Sequence, residues 1–194
     1  MALYHIFMVD PYRILIPNNA WANLKTQLNL LFDPVIGSAG FEGAVVKYSN
    51  GIVAPASNEL LLYVMPRGKS IVALSPRARK QNDPTADGVT NFMVGASEIY
   101  VTNSDDPVQK AKLAFHELMH NKLQLGQTTE HGPDALHNSQ DGLGMEIIKE
   151  KTQLTKKNIL TMAKALAKPV PQWTAGIQIV LTGMHDPLSP FYTL

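Results

Sequence analysis

Apolar residues in the first half of the chain recur in patterns that predict a sheet and one helix. Short runs of strand-forming residues between turn signals predict strands at Leu3–Val9, Tyr12–Ile16, Ala44–Tyr48, Glu59–Met65 and Ser70–Leu74. From Ala20 to Phe32, large apolar residues recur at three- and four-residue steps, as in a helix with one buried face: Trp21, Leu24, Leu28 and Leu31. Asp33-Pro34 is expected to end this helix.

The second half of the chain reads as one strand followed mainly by helices. A polar loop spans Ser75–Thr90, and Asn91–Thr102 is predicted to be a strand with Gly95 as a bulge. Asp106 and Pro107 are an N-cap residue and a first-turn proline, so a helix should begin there and end at Gly126. The remaining elements follow a polar loop at Gly126–Gly144: helices at Met145–Gln153 and Lys156–Ala167, and a strand or short helix at Ile177–Leu181.

Composition supports one folded domain over residues 1–194. The chain is long enough for a single core, and its 45% apolar and 17% charged residues are typical of a globular protein. With the elements above, we expect the α+β class: a mixed, twisted sheet, a motif-bearing helix and a C-terminal helical part.

Charge and cysteine content exclude several kinds of partner and site. A formal net charge of +1 gives no field that would favour nucleic acid or an acidic membrane, so we expect neither as a partner. The absence of cysteine excludes disulfides and thiolate metal sites. The N-terminus lacks a basic region and a cleavage site, and no apolar run reaches the ~20 residues of a membrane helix. We therefore expect a protein made in soluble form, either cytoplasmic or exported without an N-terminal signal.

The sequence His116-Glu117-Leu118-Met119-His120 carries the candidate chemistry. Histidines four residues apart lie on one face of a helix, about 5–6 Å apart at Cβ, and can share a zinc ion. Glu117 is poorly placed to bind the same ion but can reach a water beside it, as a general base. Zn²⁺ is thus the expected cofactor and hydrolysis the expected reaction.

A third zinc ligand is expected downstream, where several residues compete. His131 leads because only four residues separate it from Gly126, so a short turn can bring it back toward the metal. His137 is the next choice, and Glu146, at the start of the following helix, would give a site of two histidines and one carboxylate. Glu130 and Asp134 are weaker candidates.

These residues resemble the zincin metallopeptidases, and the metzincins more than the thermolysin-like gluzincins. The resemblance rests on the motif, a preceding strand at Ser97–Thr102, Gly126, a histidine shortly after it, and Met145 in a glycine-flanked turn. It implies a zincin-like fold, with Met145 beneath the metal and an edge strand near Glu98–Val101 that pairs with extended substrate. Gly126 lies six residues beyond His120, farther than in metzincins, so the motif helix should be about a turn longer.

The expected function is therefore that of a zinc-dependent peptidase with a peptide or protein substrate. His185 and Tyr192 are candidate stabilisers of the oxyanion. An effector toxin delivered by a specialised secretion system would also fit, and an inhibitor or immunity protein could then be its partner. Two alternatives remain: a hydrolase of peptidoglycan amide bonds, and a non-catalytic zincin-like protein that serves as a binding or structural module. The presence of Glu117 argues against the latter.

Overall fold

One sheet organises the chain in the computed structural model, which describes residues 3–50, 60–66, 87–91, 96–102, 104–123 and 156–166. Its strands are β1 (Tyr4–Val9), β2 (Ala44–Ser49), β3 (Leu60–Met65), β4 (Gly88–Asn91) and β5 (Ala96–Tyr100). Their order is β2-β1-β3-β5-β4. Every neighbouring pair is parallel except β4 and β5, which are antiparallel. The predicted mixed α+β class is therefore confirmed.

The described α-helices are α1 (Ala20–Ala39), α2 (Pro107–Leu123) and α3 (Lys156–Leu166). A 3-10 turn at Pro17–Asn19 leads into α1. The sequence pattern predicts a helix at the positions of α1, α2 and α3. No described helix has both the length and the apolar character that crossing a membrane requires.

The core lies between one face of the sheet and the three helices. Ile6 of β1, Leu62 of β3 and Ile99 of β5 are among the strand residues that contribute to it. The rings of Phe32 on α1 and Phe115 on α2 meet edge to face, with centroids 4.6 Å apart. Because side chains alternate along a strand, the other residues of β3 point to the opposite face. They are buried as well, as expected for a largely parallel sheet.

The strand predicted at Tyr12–Ile16 is wrong, because these residues form turns. Asp10, which is fully buried, accepts hydrogen bonds from the backbone N–H groups of Ile14 (2.8 Å) and Leu15 (2.7 Å). Its carboxylate also accepts one from the Tyr48 hydroxyl, at 3.0 Å. A side chain therefore satisfies the backbone donors that a strand would have paired with a neighbour.

The end predicted for the first helix is also wrong, because α1 runs through Pro34 to Ala39. Proline removes one hydrogen bond, to the carbonyl of Leu30. Leu30 is 59% exposed, while Val35 and Ile36 beyond the proline are buried. Their burial favours continuing the helix, which ends where Gly40 adopts a left-handed conformation with φ 83°.

The strand predicted at Asn91–Thr102 contains β5 and only the last residue of β4. Residues Gly88–Asn91 pair antiparallel with Ala96–Tyr100, with Thr90 opposite Ser97. The predicted loop at Ser75–Thr90 accordingly ends too late, because β4 begins at Gly88. The predicted edge strand near Glu98–Val101 is wrong too, since β5 lies between β3 and β4. The outermost strand on this side of the described sheet is β4.

Several predicted elements lie outside the described residues. These are the strand at Ser70–Leu74, the Gly95 bulge, the Gly126 helix end, the loop at Gly126–Gly144, the helix at Met145–Gln153 and the segment Ile177–Leu181.

Candidate active site

Helix α2 carries the motif, and its start matches the sequence signal. The Asp106 carboxylate accepts hydrogen bonds from the backbone N–H groups of Val108 (2.7 Å) and Gln109 (3.2 Å), and thereby caps the helix. No glycine or proline interrupts the chain from Val108 to Leu123. The cap and this run of compatible residues let the helix extend through the whole motif.

The motif portion of α2 is buried on every side, although much of it is polar. All residues from Lys110 to Asn121 are buried, so the helix has no solvent-facing stripe. The buried polar members are Lys110, Lys112, His116, Glu117, His120 and Asn121. Burying such groups costs free energy unless each has a partner. This concentration of buried polar side chains is what a helix that carries a functional site would show.

The imidazoles of His116 and His120 converge, as the four-residue spacing predicts. Their Nε2 atoms lie 2.8 Å apart, and the ring planes meet at 80°. The two residues are 5% and 7% exposed. This distance is that of an N–H···N hydrogen bond, in which the donor is the ring whose Nε2 carries the hydrogen in its tautomer.

This pair fits a zinc ion with a small adjustment. Tetrahedral zinc with nitrogens at 2.0–2.1 Å places two ligand nitrogens about 3.3 Å apart. The observed Nε2 atoms are closer than that by about half an ångström, a gap that small side-chain rotations can open. Neutral imidazole is also a preferred zinc ligand.

Glu117 points toward the β4–β5 hairpin and is held there by hydroxyl groups. The Thr90 hydroxyl oxygen lies 2.6 Å from Oε2 of Glu117 and 2.8 Å from its backbone carbonyl oxygen. The Ser97 hydroxyl donates to the same carbonyl, at 2.9 Å. Successive helix residues are about 100° apart around the axis, so Glu117 lies on the side of α2 next to the histidine pair.

A glycine lets the Glu117 side chain approach β4 closely. A Cβ atom on Gly88 would lie 2.7 Å from Oε1 and 2.8 Å from Cγ of Glu117. It would also lie 2.8 Å from the backbone oxygen of Glu98. Glycine is therefore the residue that allows this strand to pack against both the carboxylate and its neighbouring strand.

Only the helical part of the predicted site lies within the described residues. The structure brings His116, Glu117 and His120 together on α2. Outside the described residues lie the other candidates: Glu130, His131, Asp134, His137, Met145, Glu146, His185 and Tyr192. Within the described ranges no group of three metal-binding side chains converges. Among the described residues, the histidine pair thus offers two side chains that could hold a metal ion, one fewer than the three ligands that a catalytic zinc site usually has.

The residues that hold Glu117 were missed by sequence reasoning. Gly88 and Thr90 had been assigned to a polar loop, and Ser97 to the single predicted strand. The sequence would have placed Thr90 opposite Ser97 only if β4 and β5 had been predicted as an antiparallel pair.

Asn121 was missed as well. It follows His120 directly and is fully buried, and its side-chain amide has no hydrogen-bond partner among the described residues.

A separate cleft of about 230 Å³ lies at the other end of α2. Its polar lining includes Asp105, Asp106 and Lys110, but none of the motif residues. Burial lowers the pKa of Lys110, against the opposing effect of Asp105 and Asp106. Both carboxylates also bond backbone N–H groups, Asp105 that of Thr102 and Asp106 those of the first helical turn. We therefore assign this cleft a structural role.

Comparison with protein-family models, with curated proteins and with solved structures gives no match for this chain. The interpretation of the site accordingly rests on the chemistry and geometry of its own residues.

Replacing Gly88 tests the close packing of Glu117 against β4. We expect Gly88→Ala to lower the free energy of unfolding by about 1–3 kcal/mol, because the new methyl group meets a side chain and a backbone oxygen. Gly37→Ala on α1 is the matched control: its Cβ meets nothing within 4 Å, so it should stabilise by about 0.5–1 kcal/mol. Urea denaturation of both variants measures the difference. Equal changes of the same sign in the free energy of unfolding of the two variants would contradict the close packing at Gly88.

Proposed function

We propose that this chain is a zinc-dependent peptidase that hydrolyses peptide bonds at the face of α2 bearing His116 and His120. The observation that carries the proposal is the convergence of the two Nε2 atoms, 2.8 Å apart, one residue from a buried glutamate. A structural zinc is usually closed by four Cys or His ligands. Two histidines four residues apart, with a glutamate directly after the first, instead suit catalysis.

In this proposal His116 and His120 hold the zinc, and His131 is the leading third ligand. Zinc bound there would lower the pKa of a water to about 7 and polarise a substrate carbonyl. Glu117 accepts the proton as the water attacks, and afterwards delivers it to the departing amine. Burial of all three side chains favours this role, because a low-dielectric surrounding strengthens the interactions of charged and polar groups.

The fold is one more feature that supports the zincin resemblance. A mixed sheet next to the motif helix is the arrangement that the resemblance implies, and β5 leads into α2 through a short connection. In the described sheet the strand suited to pair with an extended peptide is β4, which corrects the expectation for Glu98–Val101. Substrate pairing at β4 would bring a peptide close to Glu117, since Thr90 contacts both its carboxylate and its carbonyl.

The first prediction of this proposal is metal content. Purified protein should bind about one zinc per chain, and His116→Ala should lose it, because the variant lacks one of the three proposed ligands. The melting temperature in excess zinc should fall as well, since metal binding stabilises the fold. Elemental analysis and thermal melting measure both. His5→Ala, a half-buried histidine on β1, is the control that should retain zinc. Wild-type protein free of zinc after incubation with excess metal would refute the proposal.

The second prediction separates the base from the ligands. Glu117→Gln keeps the shape of the side chain, so it should retain zinc and fold but lose about 10²–10⁴-fold in turnover. The assay is cleavage of unfolded protein substrates by the zinc-loaded protein, with new termini identified by mass spectrometry. Purified peptidoglycan serves as the parallel substrate for the amidase alternative. Loss of zinc from this variant would make Glu117 a ligand instead, and absence of any turnover in the wild type would favour the non-catalytic alternative.

The third ligand gives a further prediction. We expect His131→Ala to weaken zinc binding strongly, whereas His137→Ala and Glu146→Gln leave it nearly intact. Neutral imidazole suits zinc, and the short loop after Gly126 closes at slightly lower entropic cost than a longer one. Metal titration of the three variants distinguishes them. If only Glu146→Gln releases zinc, the site uses two histidines and a glutamate, and Met145 has no special role.

A further inference from the structure

The contact between Thr90 and Glu117 is the closest polar contact made by the proposed base among those described here. At 2.6 Å, it lies in the range of a hydrogen bond from a hydroxyl to an ionised carboxylate, about 2.5–2.7 Å. Thr90 lies on β4, and Glu117 comes 27 residues later on α2. The contact therefore ties an edge strand to the centre of the candidate active site.

Counting hydrogens assigns the direction of this bond. The Thr90 hydroxyl has one hydrogen and, within the described ranges, three oxygen neighbours: Oε2 of Glu117, the Glu117 carbonyl, and the Ser97 hydroxyl at 3.0 Å. The carboxylate is the strongest acceptor of the three and the nearest. The Ser97 hydroxyl donates to the Glu117 carbonyl, which satisfies that group. The hydrogen of Thr90 is thus directed to Oε2.

Steric contact fixes the other side of the carboxylate. Oε1 and Cγ of Glu117 pack against Gly88, where a Cβ would approach them to 2.7 and 2.8 Å. Gly88 and Thr90 are two residues apart on β4 and so face the same side of the sheet. One strand therefore both bonds the carboxylate and limits its rotation.

We propose that Thr90 is a positioning residue for Glu117, holding the carboxylate in the orientation from which it acts as the base. This inference rests on the proposed function, because Glu117 needs a fixed orientation only if it transfers a proton. Thr90 acts through Glu117 and does not itself touch the reacting atoms. Its loss should therefore lower kcat and leave KM nearly unchanged, since substrate binding is not altered.

The test compares Thr90→Val with Thr90→Ser in zinc-loaded protein. Valine keeps the shape but removes the donor, and we expect a 10–100-fold lower kcat with KM within about twofold, because misplacing a catalytic group by about 1 Å costs up to 10²-fold. Serine retains the hydroxyl and should restore most of the activity. Thr26→Val, at an exposed position on α1, is the matched control that should leave kcat unchanged. Thr90→Ala replaces the valine variant if the latter does not fold.

Two measurements besides turnover complete the test. The visible spectrum of the cobalt-substituted protein should be the same in Thr90→Val and wild type, which places the defect at the base and not at the metal. The carboxyl ¹³C resonance of Glu117, identified by its disappearance in Glu117→Gln, should shift in Thr90→Val more than in Thr90→Ser or Thr26→Val.

The possible outcomes separate this inference from the proposed function. Wild-type kcat in the valine variant, an unmoved Glu117 resonance, or loss of activity in step with loss of metal would each overturn the role of Thr90 alone. An inactive wild type that binds zinc would overturn the peptidase proposal, and the positioning role with it, even if the resonance shifts.

Discussion

Burial of the Glu117 side chain is the constraint on which the candidate site depends. A carboxylate that is 6% exposed loses most of its hydration and is tolerated only where the protein supplies donors. Thr90 supplies one to the carboxylate, and Ser97 satisfies the backbone carbonyl of the same residue. Both come from the β4–β5 hairpin, so its antiparallel register determines whether α2 can pack with Glu117 facing the sheet. That packing also determines which way the side chains of His116 and His120 point, since they and Glu117 lie within five consecutive residues of α2.

Local sequence signals predicted most of the elements around this site. Runs of strand formers gave β1, β2 and β3, and Asp106-Pro107 gave the start of α2, because strand propensity and helix capping depend on residues close in the chain. The same local reasoning was wrong at Pro34. There, burial of Val35 and Ile36 outweighs one lost backbone hydrogen bond. It was wrong again at Tyr12–Ile16, where the buried Asp10 carboxylate replaces strand pairing.

Some features of the candidate site likewise depend on residues that are close in sequence, and others on residues that are distant. The spacing of His116, Glu117 and His120 is a property of one helix, and the observed convergence of the imidazoles is what that spacing predicts. The environment of Glu117 comes from Gly88, Thr90 and Ser97, which are 20 or more residues earlier in the chain. No short motif links them to the helix. Their relation becomes visible only when β4 and β5 are recognised as an antiparallel pair, and the sequence pattern had placed most of β4 in a loop.

This division has a physical consequence for how the site can be damaged. In the proposed function, metal binding would depend on histidine geometry that one buried helix maintains, whereas the orientation of the base would depend on contacts with β4, the four-residue outermost strand on this side of the described sheet. A short edge strand is held by one neighbour and loses its register more readily than an internal strand does. Changes in β4 should therefore act first on the base, through Thr90 and Gly88, while the histidine pair stays in place. Under the proposed function, zinc affinity and turnover would be separable properties of one site, because different parts of the fold would maintain them.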